Sequence, residues 1–132
     1  MDALFAIYVG VRGDDAGERL YNWVGEMTNP SEALLKWRAS YDDEDDLDIK
    51  LIDLGKPWGG YLTRISVFDS YVGFGVELWG TSWDDSPGDF DLFGFVETIR
   101  QGQEKYFKAL YDLGAPESMH KASELFTRCD YW

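Results

Sequence analysis

YLTRISVFDSYVGFGVELW, residues 61–79, is the stretch on which the fold turns. Two runs rich in β-branched and aromatic residues, 61–68 and 71–79, flank Asp69 and Ser70, which predicts an antiparallel hairpin. A two-residue turn would pair Val67 with Val72, Ile65 with Phe74, Thr63 with Val76 and Tyr61 with Leu78 on a core-facing side. The other side would pair Phe68 with Tyr71, Ser66 with Gly73, Arg64 with Gly75 and Leu62 with Glu77, a mixed and half-solvated set. Asp-Ser is not the favoured Asn-Gly dipeptide, so a longer loop with a shifted register stays open.

Upstream of the hairpin, residues 3–9 form an apolar run suited to a buried strand, which the segment 10–13 should end. Asp14 or Asp15 can cap a helix that places Leu20, Trp23, Val24 and Met27 on one side. Asn29-Pro30-Ser31 breaks the chain, and Ser31 can cap a second helix reaching about Ala39. Residues 41–48 are too acidic for a stable helix or an interior strand and predict a loop, after which 49–54 suits a strand and 55–60 a connection. Downstream, 80–91 reads as a polar loop. Over 92–113 the residues Phe93, Val96, Ile99, Tyr106, Phe107, Leu110 and Leu113 trace an apolar stripe of helical period, with Gly114 placed to stop it. A last helix after Pro116 would carry Met119, Ala122 and Phe126. The expected order is β-α-α-β-β-β-α-α: one α+β domain over 1–132, an antiparallel sheet of about four strands with helices packed on one face.

Composition narrows the function. Twenty-five Asp and Glu against 12 Lys and Arg leave a net charge of −13, which repels nucleic acid and anionic membrane and speeds encounter with basic partners. A single cysteine allows no internal disulfide, no basic, apolar leader opens the chain, and no stretch has the length of a membrane span. A cytoplasmic protein of a bacterial or phage-infected cell is expected.

No residue set predicts catalysis, a cofactor or a metal. The glycines of 10–17 lie between a strand and a helix but match no phosphate-binding pattern, and the acidic residues at the helix end would repel a phosphate. The Arg12-Gly13-Asp14 tripeptide reads as coincidence. His120 has no nucleophile beside it in sequence and reads as a surface or packing residue, and Cys129 as a small apolar packing residue. One histidine and one cysteine do not make a typical zinc site.

The densest signal is Asp42, Asp43, Glu44, Asp45, Asp46 and Asp48, six carboxylates in seven positions. Extended chain places a side chain about every 3.3 Å, close to the roughly 3.4 Å phosphate spacing along one DNA strand. Aromatic residues make up 17% of the chain, more than one small core needs, and Trp and Tyr are favoured interface anchors. Tyr41, Trp58 and Trp83, together with Asp84, Asp85 and Asp89 and the terminal Tyr131-Trp132, are therefore candidates for contacting a partner.

Small, acidic, aromatic-rich and without a catalytic motif, the chain resembles immunity proteins that neutralise nuclease toxins and phage proteins that disarm host defence, such as anti-CRISPR or anti-restriction factors. The expectation is an inhibitor that mimics nucleic acid and binds a basic nuclease, toxin, CRISPR or restriction component. The alternative is a small enzyme or a carbohydrate- or calcium-binding module using residues 79–91.

Overall fold

The computed structural model describes residues 3–41, 52–54, 60–67, 70–82 and 91–131. Its elements run β1 (Ala3–Arg12), α1 (Ala16–Glu26), α2 (Glu32–Ser40), β2 (Ile52–Asp53), β3 (Tyr61–Val67), β4 (Ser70–Ser82), α3 (Leu92–Asp112), α4 (Glu117–Ala122) and β5 (Glu124–Tyr131). The strands form one antiparallel sheet in the order β2-β3-β4-β1-β5.

The fold is α+β, as expected. Val9, Val11, Leu62, Phe74 and Val76 of the sheet share one buried cluster with Leu20 and Val24 of α1, Leu34 of α2, Tyr106 and Leu110 of α3, and Met119 of α4. All four helices therefore cover the same face. Local signals account for their ends. Ser31 accepts a hydrogen bond from the Leu34 amide at 3.2 Å, satisfying one of the orphan donors of the first turn of α2. Gly114, at φ +67°, ends α3 in the left-handed conformation that glycine adopts without a Cβ penalty. Its amide donates to Tyr111 O and the Ala115 amide to Leu110 O.

Four expectations need correction. The expected last helix stops at Ala122, and Phe126 lies in β5, which pairs with β1 from Ala3↔Tyr131 to Gly10↔Glu124. The described residues therefore form five strands: pairing with β1 along 124–131 overrides the helical spacing of Met119, Ala122 and Phe126.

Second, the first strand does not end near Gly10 but continues to Arg12, and Gly10 sits inside the sheet. A Cβ there would lie 2.1 Å from Phe74 O and 2.5 Å from Gly75 Cα. The glycine is what allows β1 and β4 to close at this point.

Third, the hairpin register is shifted: by two residues beside the turn, where Val67 pairs with Ser70 and Ser66 with Tyr71, and by one beyond it, where Ile65 pairs with Gly73, Arg64 with Phe74 and Thr63 with Gly75. The bulge at Val72 separates the two stretches and turns the two-residue shift into a one-residue shift over 63–65. A one-residue slip exchanges the two faces of a strand. Leu62 thus enters the main core, while Ile65 turns to the other face and joins Ala6, Tyr8 and Phe126 in a second buried cluster.

Fourth, the apolar stripe of α3 is only half used. Tyr106, Leu110 and Leu113 are buried, but Phe93 is 88% exposed and Val96 55%.

The second cluster closes one end of a coiled sheet. A second bulge, at Leu78, interrupts the pairing of β4 with β1, and bulges bend a strand and increase its twist. β3 and β5 come into contact although β4 and β1 lie between them in the sheet. The face away from the helices is therefore concave, plugged at one end by Ile65 and Phe126.

Candidate functional site: an acidic surface, a concave cleft and an apolar groove

Of the candidate contact residues, the structure describes Tyr41 and the backbone of Tyr131. Asp42, Asp43, Glu44, Asp45, Asp46, Asp48, Trp58, Trp83, Asp84, Asp85, Asp89 and Trp132 lie outside the described residues. Tyr41 is half-buried beside Tyr21 of α1, ring centroids 4.9 Å apart, and beside Trp37 of α2 at 5.3 Å. Arg38 joins this packing, its guanidinium 4.2 Å from the Tyr21 ring centroid and its Nε donating to Tyr21 O at 2.9 Å. The residue from which the acidic run departs is thus tied to the middle of α1 and the last turn of α2.

The helix to which it is tied carries acid of its own. Asp15, Glu18 and Glu26 lie on one solvent-facing stripe of α1 at intervals of three and eight residues, and Asp14 precedes them. All four carboxylates are exposed, and no described cation pairs with them. A helical rise of about 1.5 Å per residue spreads this stripe over about 16 Å.

Most of the described cations are engaged elsewhere in the fold. Arg12 bonds Glu124 at 2.6 Å, Lys36 pairs with Glu32 at 3.2 Å, Lys108 with Asp112 at 3.0 Å and Lys121 with Glu117 at 3.4 Å. Arg100 bridges Glu97 and Glu104, and its hydrogen bond holds the Glu97 carboxyl below the usual carboxylate range. Arg19 lies over Trp23 and Arg64 over Tyr71. Such exposed ion pairs contribute little to stability but cancel charge locally, whereas Arg19 on α1 and Arg64, held over neutral rings, keep theirs.

The concave face holds a cleft of about 500 Å³ lined by Tyr8, Tyr61, Thr63, Glu77 and Arg128. Tyr8 is 4% exposed. Burial pushes its phenol up, the Glu77 charge adds to this, and a hydrogen bond from Arg128 opposes it. The phenol donates to Glu77 and accepts from Arg128, while Arg64, which also lines the cleft, has a buried Nε without a hydrogen-bond partner among the described residues. Sequence reasoning missed this set because the strand carrying Arg128 was expected to be a helix.

A second depression of about 460 Å³ lies on the helix side of the sheet, between Ile7, Leu125 and Thr127 below and Phe95, Val96 and Ile99 of α3 above. Arg100 and Gln103 of α3 line it as well, though most of the atoms it exposes are apolar. Trp79, from the expected 79–91 region, packs here edge-to-face with Phe5 at 6.0 Å and with Phe95 at 5.3 Å.

His120 is half-buried and stacks on Phe107 with centroids 6.1 Å apart. Cys129, expected to be a packed residue, is instead an exposed free thiol, since β5 lies at the sheet edge. Among the described residues no group of three or more His, Cys, Asp or Glu is placed to hold a metal, and no helix is long and apolar enough to cross a membrane. Compared with protein-family models, curated proteins and solved structures, the chain matches none of them.

Proposed function

We propose that this chain is an acidic protein inhibitor that docks on a basic surface of a nucleic-acid-handling protein and blocks it, acting in the cytoplasm of a bacterial or phage-infected cell. The observation that carries the proposal is the position of Tyr41. This residue packs on α1, whose four exposed carboxylates form no ion pair with a described cation, and the run of six carboxylates in seven positions follows directly in the chain. Like charge so concentrated steers a basic partner and repels nucleic acid. Phage anti-defence (anti-CRISPR or anti-restriction) and nuclease immunity are the two settings of this chemistry. The alternative of a carbohydrate module draws no support from Trp79, whose ring is engaged with Phe5 and Phe95.

Affinity purification of the tagged chain from its native cell tests the proposal. A stoichiometric basic protein whose nucleic-acid binding falls as the acidic chain is added is expected. Recovery of no such protein, together with a calcium- or sugar-dependent rise in melting temperature, would favour a ligand-binding module instead.

A further inference from the structure

The apolar groove adjoins a sheet edge with few of the usual protections. β5 is eight residues long, contains no proline, and pairs with β1 in unbroken register. Among the described residues no strand pairs with its outer side. Natural edge strands are commonly shortened, bulged or guarded by outward charges. Here two of the charged side chains are drawn to the concave face: Glu124 is held by Arg12, and Arg128 bonds Tyr8. On the helix side β5 presents Leu125, Thr127 and Cys129, all exposed. Directly above stands the uncovered start of α3, with Leu92, Phe93 and Val96 exposed.

Resting on the inhibitor reading above, we propose that an extended segment of the basic partner adds to the outer edge of β5. Its alternate apolar side chains would drop into the groove beneath Phe95, Val96 and Ile99, one helical turn from the exposed Phe93. Backbone hydrogen bonds would supply affinity, and the alternation of apolar and cationic residues would supply specificity. Charge selects this occupant over a second copy of the chain, because two molecules each carrying −13 repel one another. The same charge attracts a strand bearing lysine or arginine at every other position. Asp91 at the N-cap of α3 adds negative charge at this end of the helix.

The test uses the full chain and a capped nine-residue peptide of alternating lysine and valine, with binding followed by calorimetry and amide hydrogen exchange. The expected result is 1:1 binding with slowed exchange at the β5 amides. Val96→Asp and Phe93→Asp should each weaken binding about tenfold, the scale of a lost interface anchor. Both positions are largely exposed, so both variants should fold, which a melting curve checks. Each variant also adds a negative charge, so unchanged or tighter binding would mean that charge alone holds the peptide, and would overturn the proposal. Equal binding of a peptide N-methylated at alternate amides would overturn strand addition. A dimer in sedimentation that Val96→Asp dissolves would assign the face to a second copy. If Val96→Asp still captures and blocks the cellular partner at full strength, the groove proposal fails while the inhibitor reading stands.

Discussion

Ile65 of β3 and Phe126 of β5 meet in one buried cluster, although two strands separate theirs in the sheet. This shared cluster lies on the concave face, and it depends on a strand that the local pattern of the chain disguises as a helix. Phe126→Ala should therefore cost about 3–5 kcal/mol, the usual range for truncating a buried phenylalanine. Urea unfolding of the variant checks this. A loss below about 1 kcal/mol would place Phe126 on a surface and refute its role in closing the sheet.

Gly10 allows that closure from the middle of β1. Adding one methyl group drives it into Phe74 O and Gly75 Cα, both backbone atoms that cannot rotate away. Gly10→Ala should destabilise the protein by about 3 kcal/mol, the upper end of ordinary overpacking costs. Gly25→Ala is the control: its methyl meets the end of the flexible Arg38 side chain, 2.7 Å from Nη2, and in a helix alanine is favoured over glycine. Equal melting temperatures for the two variants would contradict the close approach of β1 and β4.

Tyr106 is wholly buried, within hydrogen-bonding distance (2.8 Å) of Ser123 Oγ, which donates to Met119 O at 2.7 Å. Burial pushes its phenol from 10.0 up to about 12. Below pH 10 the phenol is protonated in both the folded and the unfolded chain, and its contribution is whole. As pH rises from 10 to 12 only the unfolded chain loses the proton, so stability should fall by about 1.4 kcal/mol per pH unit. Urea midpoints between pH 9 and 12 test the sign. Tyr106→Phe should flatten the fall relative to wild type, and parallel curves would show that Tyr106 ionises as readily folded as unfolded.

How much of this was legible beforehand follows from the range of each signal. The buried side of α1, the Ser31 cap and the Gly114 stop are written within a few residues of where they act, and each was readable. β5 was not, because Met119, Ala122 and Phe126 happen to fall at helical spacing, while the strand's partner lies more than a hundred residues away in β1. The hairpin was visible, but its register depended on a bulge at Val72 that no turn dipeptide announces. Periodicity showed which side of α3 is apolar, yet not that the sheet leaves Phe93 and Val96 uncovered. Of the proposed contact surface, the acidic run is plain in the sequence. The α1 stripe beside Tyr41 emerged only when the cations were seen to be engaged elsewhere.

The central claim is that concentrated acid steers a basic partner, and stopped-flow association across a salt series measures this most directly. The comparison is between wild type and a variant with Asp42, Asp43, Asp45 and Asp46 changed to Asn and Glu44 to Gln, each mixed with the co-purified partner. Steering raises on-rates by about 10- to 1000-fold and is screened beyond about 8 Å at physiological salt. The wild-type rate should therefore fall steeply as salt rises. The neutralised variant should associate more slowly at low salt, with a flatter dependence, and should fold at least as stably because like-charge repulsion is relieved. Equal rates with parallel slopes would reduce the acidic run to a solvated bystander and contradict the account.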